Sequence, residues 1–221
     1  MTIDRIVAAS LALIDRDGLS ALTMRNLATE LSTGTTTLYR HVGSKDEIGA
    51  LVVDEIVGEA DLGPSEAFAG WRNVIEEMAR SLRRSLVGHP HALPLFVESV
   101  PVGPHALRAR NQVLELLREH GLSSDLAADL LIAVLHHVLG SALLNPMADF
   151  PADGPQRSRT LSLRDFYRGL PSEDFPRLIE SADRLTRNPP AGEFEFGLRL
   201  LLDGVELRLA GGGAAGLVER T

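Results

Sequence analysis

The sequence predicts an all-α protein: a three-helix N-terminal head with a helix-turn-helix, followed by a larger helical bundle. Three observations predict it. Apolar residues recur at helical spacing along most of the 221 residues, and no convincing alternating strand interrupts them. Glycine, proline and serine punctuate the ends of these segments. Residues 22–47, LTMRNLATELSTGTTTLYRHVGSKDE, set two short helices on either side of a tight turn.

The elements follow in order. Ile3, Ile6, Val7, Ser10, Leu13 and Ile14 form a first helical stripe, and Asp17-Gly18 is its expected stop. Thr23 is placed to cap a second helix, whose apolar face is Met24, Leu27, Ala28 and Leu31. Ser32, Thr33 and Gly34 break the period, and Gly34 is expected to supply the positive φ of the turn. A third helix from Thr35 to Val42 is pinned by Leu38 and Val42. Ser44 and Glu47 read as a capping box that starts a fourth helix, reaching about Ala60. Ile6, Leu13, Leu22, Leu27, Leu31, Leu38 and Val42 are the expected core of the head.

The remainder reads as further helices. A long one spans residues 66–87 with Trp71, Val74, Ile75, Met78, Leu82 and Leu86 on one side. Residues 91–99 form a short apolar segment, and 105–120 are amphipathic. Ser123 or Ser124 caps a helix of about 125–144 that is apolar around most of its circumference and must be widely buried. Residues 145–160 read as a long loop. Helices of about 176–186 and 192–210 follow, and 211–221 reads as a flexible tail. The expected domains are therefore 1–46, 47–210 and the tail.

Composition narrows the function classes. The chain is 44% hydrophobic and 24% charged, in the range of soluble globular proteins. It has no cysteine, which excludes disulfides and thiolate metal sites and suits a reducing cytoplasm. No uninterrupted apolar run reaches the roughly 18 residues of a membrane span, and the N-terminus lacks a signal-peptide pattern. A cytoplasmic protein with no membrane partner is expected. The net charge of −8 argues at first sight against nucleic acid. Between Met24 and Lys45, however, Arg25, Arg40 and Lys45 face only Glu30, a local balance of +2.

Leu38 and Val42 turn inward, so Thr35, Thr36, Thr37, Tyr39, Arg40 and His41 are left largely outside. Hydroxyl, guanidinium and imidazole groups on a short helix suit phosphates and base edges in a DNA major groove. The free N–H groups at the helix start favour anions.

The segment from Ile6 to Leu51 resembles the N-terminal domain of tetracycline-repressor-like (TetR) transcriptional regulators. The resemblance rests on Ala8-Ala9, Gly18, Leu22-Thr23-Met24-Arg25, Leu27-Ala28, Leu31, Thr37-Leu38-Tyr39-Arg40-His41-Val42 and Ser44-Lys45. It implies a base-contacting Arg25, phosphate contacts from Tyr39 and His41, and a phosphate-holding Lys45, the only lysine in the chain. Two departures stand out. Ser32-Thr33 occupies the turn where the family usually has glycine and an aliphatic residue, and the threonine run 35–37 is unusual. The segments 194–198 and 202–205 also resemble the C-terminal domain of the tetracycline-repressor subfamily. The resemblance implies a homodimer joined by a four-helix bundle of the late helices, a double-stranded DNA operator and a small-molecule effector.

An effector pocket in such a bundle is apolar with a few polar groups. Trp71, Met78, Leu82, Phe96, Asn111, Val134, His137, Phe166, Tyr167 and Phe175 are candidates to line it. No metal or other cofactor is expected. His136 and His137 point about 100° apart on a helix, His89 and His91 have no carboxylate nearby in sequence, and Leu144 falls about where the tetracycline repressors have a metal-ligating acid. The reading is a ligand-responsive regulator, not an enzyme. Two alternatives remain: a helical-bundle enzyme, for which no Ser/His/Asp order or phosphate-cradling loop is found, and an all-α ligand-binding or interaction module without DNA binding.

Overall fold

The computed structural model describes residues 1–60, 63, 68–99, 101–144, 155–186 and 192–211. Among these, every regular element is helical. The head contains α1 (Ile3–Asp17), α2 (Met24–Glu30) and α3 (Thr35–Tyr39). A short 3-10 turn at Leu19–Ala21 follows α1. Helix α4 (Lys45–Gly58) leads into α5 (Trp71–Gly88), α6 (Leu95–Glu98), α7 (Pro104–Glu119) and α8 (Ser124–Leu144). Three more follow among the described residues: α9 (Pro155–Arg168), α10 (Pro176–Leu185) and α11 (Glu193–Gly211).

The head folds as its apolar pattern dictates. All seven expected core residues are buried, from Ile6 to Val42. Thr23 caps α2 by accepting the Asn26 N–H. Ser44 accepts the Glu47 N–H, and Glu47 reaches back to the Gly43 N–H at 2.6 Å, one residue before the usual capping-box partner. Ile3 departs from its stripe and is exposed, one turn beyond the reach of the core.

The turn differs from expectation. Gly34 sits at φ −89° as the N-cap of α3. The left-handed residue is Ser32, at φ 51°. Its N–H donates to Thr29 and the Thr33 N–H donates to Ala28, the paired bonds of a Schellman helix end. Helix α3 is also shorter than expected. It closes at Tyr39, and residues 40–42 form a turn held by N–H bonds from His41 and Val42 to Leu38.

One apolar core runs continuously from Ile6 in α1 to Leu202 in α11. Helix α4 joins head to body: it packs on α1 on one side and on α5, α6 and α7 on the other. Helix α8 packs against α5, α7 and α11 at the centre of the body. With 21 residues and mean hydropathy 1.8 it is long and apolar enough, by length and composition alone, to cross a membrane. Asp125 and Asp129 interrupt its run, so counting strictly consecutive apolar residues misses it. Ser123 caps it by accepting the Leu126 N–H.

Helices α9 and α10 pack mainly on each other. Helix α9 is described from Pro155, so residues 155–160 of the segment expected to be a loop are helical. Residues 145–154 of that expected loop, and 212–221 of the expected tail, lie outside the described residues.

Candidate DNA-contacting head and ligand cavity

The short α3 presents its polar residues to solvent because Leu38 and Val42 are both drawn fully into the core. Thr35, Thr36, Arg40 and His41 are exposed, and Thr37 is half-buried. Tyr39 is 55% exposed, a large aromatic ring left in water. Arg25 in the first turn of α2 and Lys45 at the start of α4 are also exposed. All eight predicted contact residues thus lie wholly or partly at the surface of one small helical unit.

The local balance of +2 holds when the neighbouring helix is counted, because Arg16 adds one positive charge and its second partner Asp17, at 3.0 Å, adds one negative. Arg16 of α1 grips Glu30 of α2 with two hydrogen bonds, at 3.0 and 3.3 Å. The same guanidinium holds the Glu30 carboxyl below the usual carboxylate range. The one acid within the Met24–Lys45 stretch that opposed the basic residues is therefore already engaged.

A cavity of about 550 Å³ lies in the body. Val57 of α4 and Ala60 just beyond it, Met78 and Leu82 of α5, and Phe96 of α6 form part of its wall. The loop after α6 adds Ser99 and Pro101. Helix α7 adds Ala106, Ala109, Arg110 and Val113, and α8 adds Leu131, Leu135, His136 and Leu139.

Of the residues predicted to line a pocket, Met78, Leu82 and Phe96 do so. The others lie elsewhere. Val134 is fully buried core. His137 stacks on Phe194 at 5.3 Å and its Nε2 meets the Phe194 carbonyl at 2.9 Å, so it serves the α8–α11 contact. Its neighbour His136, turned by about 100°, is the histidine at the cavity. Trp71 is half-buried at the start of α5 and Asn111 faces solvent. Phe166 and Phe175 are exposed, and Tyr167 is half-buried, on the α9–α10 pair.

Several functional candidates escaped the sequence reading. Arg110 carries a charge on the stripe Ala106, Ala109, Val113, and that break in an apolar face was the available signal. Asp54 is buried in α4; its Oδ2 accepts the His105 N–H at 3.1 Å and its Oδ1 accepts the Ala106 N–H at 2.9 Å. It therefore caps α7 from a different helix. A Cβ on Gly103 would lie 2.2 Å from the Asp54 Cγ, so only glycine permits this approach. His89, just after α5, sets its Nδ1 2.8 Å from Asp15 of α1 and its Nε2 3.0 Å from Glu59 beyond α4. Those carboxylates are distant in sequence, and nothing local announced them.

A helix-turn-helix head joined by one helix to a cavity-bearing helical body defines the ligand-responsive DNA-binding regulators. Residues 6–52 match the profile of bacterial regulatory proteins, tetR family, and residues 64–209 match the tetracyclin repressor-like C-terminal domain. The chain belongs to the TetR family. It is 32% identical to the HTH-type transcriptional repressor DrrR1 of Streptomyces coeruleorubidus, over 95% of this chain and 79% of that protein. It is 27% identical to the class E tetracycline repressor of Escherichia coli, over 95% and 92%. Its structure is similar to ActR of Streptomyces coelicolor in complex with actinorhodin, with a TM-score of 0.85, 34% identity, and coverage of 97% of this chain and 99% of that one. ActR in complex with (S)-DNPA gives a TM-score of 0.83 at 33% identity, covering 94% and 98%.

Proposed function

We propose that the chain is a homodimeric repressor released from a palindromic DNA operator by a small molecule bound in the cavity. Residues 1–46 are the DNA-binding unit, and 47–210 bind effector and partner. The observation that carries the reading is the outward set Arg25, Thr35, Thr36, Thr37, Tyr39, Arg40, His41 and Lys45, arranged around a buried Leu38. Arg25 reads a guanine edge, the threonines touch base or phosphate, and Tyr39, Arg40, His41 and Lys45 hold phosphates.

Dimerisation is supported by apolar side chains left exposed on α8 and α11, among them Leu144, Phe196, Leu200 and Leu207. A two-fold axis then sets the two heads roughly 34 Å apart, one turn of DNA. Because α4 contributes to the cavity wall and also begins beside α3, a ligand that prefers a different α4 position misaligns the heads. About 5.5 kcal/mol of differential affinity moves such an equilibrium almost completely. Support for a small-molecule effector comes from ActR, a relative of similar fold solved with small molecules bound.

The test is selection of bound fragments from random DNA by the purified protein. The expected result is a two-fold symmetric motif whose binding weakens steeply with salt. An asymmetric motif, or no enrichment, would count against the proposal.

A further inference from the structure

We infer that the cavity takes an amphipathic organic anion, a mostly apolar body bearing one carboxylate or similarly acidic group, and that Arg110 holds its charge. The inference rests on the cavity being the effector site and goes further by fixing the charge of the effector.

The wall is aliphatic and aromatic apart from four polar residues: Glu98, Ser99, Arg110 and His136. A volume of about 550 Å³ admits a body of several fused rings. Arg110 is half-buried, whereas Glu98 and His136 are exposed. An ionic contact made where water is partly excluded counts for more than one at the open rim. The deciding cation is therefore Arg110, and Glu98 is screened by solvent.

Arg110 is also held in place and still has capacity. Its Nη1 donates to the Pro101 carbonyl, which fixes the guanidinium against the loop after α6. That bond uses one of five N–H donors. No carboxylate among the described residues lies within ion-pair distance of it. Most of the well-positioned arginines elsewhere in the body do have acids: Arg72 pairs with Glu76, Asp203 and Glu206, and Arg80 with Glu76 and Glu195. A fixed, partly desolvated guanidinium with free donors on an apolar wall suits a carboxylate, which it can bind through two parallel bonds. A cationic ligand would meet that same charge and find only the exposed Glu98.

The test is calorimetric titration of the full chain at neutral pH with matched probes: naphthoate, anthracenecarboxylate and pyrenecarboxylate, each against its primary amide. Shape is nearly constant within a pair and charge is not. At least one acid should bind about tenfold tighter than its amide, the strength of one charge-assisted contact. In Arg110→Gln that ratio should fall to within about threefold, since the acid loses its ionic partner while the amide loses at most a neutral hydrogen bond. Arg110→Lys, which keeps the charge and loses the fork, should retain part of the preference. Equal binding of acid and amide, no binding by any acid, or a preference that survives Arg110→Gln would overturn the inference. If Arg110→Gln does not fold, the wild-type ratio and Arg110→Lys decide. Operator release, followed in parallel, separates the two ideas. Acids that bind without releasing DNA leave the anion site standing and remove the effector role. Release by neutral compounds alone does the reverse.

Discussion

Helix α2 in the head and helix α7 in the body end in the same pair of hydrogen bonds. In the head, Thr33 donates to Ala28 and Ser32 to Thr29; in the body, Leu122 donates to Leu117 and Gly121 to Arg118. The left-handed position is Ser32 at φ 51° in one and Gly121 at φ 89° in the other. For glycine that conformation is free of steric cost, while an L side chain loses about 1–2 kcal/mol. The body end is also closed by an apolar pair, Leu122 and Leu117, both buried. The head end offers only the half-buried Thr33 and the small Ala28. The turn that sets the angle between α2 and α3 is thus the weaker copy of a motif the chain builds well elsewhere.

The largest expected effect falls where the two regions are tied together. Asp54 fastens α4, which carries the head, to the first turn of α7, which lines the cavity. Asp54→Ala should cost about 3 kcal/mol of stability, since two charge-assisted bonds are lost and two N–H groups are orphaned. Asp54→Asn, which keeps one acceptor, should cost less. Urea unfolding measures both. Equal losses would show that the carboxylate is not what holds α7.

Next in size are the contacts of the head itself. Arg25→Ala should weaken operator binding by about 2 kcal/mol, roughly thirtyfold, and relax one base position. Tyr39→Phe removes a single hydroxyl and should weaken binding by less, uniformly over sequences. Neither should move the unfolding midpoint, because both side chains are exposed. A matched fall in stability would make them structural and strengthen the reading in which the chain binds no DNA.

The turn comparison can be inverted directly. Ser32→Gly should stabilise the chain by up to about 1 kcal/mol, and Gly121→Ala should destabilise it by about the same amount. Unfolding midpoints of the two variants should move in opposite directions. If Ser32→Gly destabilises, the serine hydroxyl rather than the backbone governs that turn.

These residues also show where the sequence was readable. The apolar periods located the helices, and Leu38 and Val42 alone determined which face of α3 points outward. Hydrogen-bonded caps at Thr23, Ser44 and Ser123 were legible because each partner lies three residues away. The positive φ was misplaced by two residues, since glycine's freedom marks where a left-handed residue is easy and not where it is needed. The tie at Asp54 and the clasp of His89 on Asp15 and Glu59 span tens of residues, and no local pattern encodes them. Cavity residues were legible only where they shared a stripe with the core. Periodicity distinguishes inside from outside, but it does not distinguish a packed interior from a hollow one.

The smallest expected effect contrasts the ion pairs of the two regions. In the body, Arg80 of α5 meets Glu195 of α11 with two bonds of 2.9 Å. In the head, Arg16 and Glu30 meet at the open surface. Hydrogen bonding to Arg80 holds the Glu195 carboxyl below its usual range, as Arg16 does for Glu30. A carboxyl depressed in the folded state contributes stability that is complete above its unfolded value, about 4.3 for glutamate, and is lost as pH falls through the folded value. Both Arg80 and Glu195 remain more than a third exposed, so solvent limits the contribution to about 0.5–1 kcal/mol. Wild type should therefore exceed Glu195→Gln in urea stability by that margin at pH about 6, with the gap closing as pH drops below about 4. The same experiment on Glu30→Gln should show a smaller gap, because its pair joins two helices already locked by the head's core. A gap at Glu195 that does not change with pH would mean the α5–α11 contact depends on shape and neutral hydrogen bonds rather than on charge.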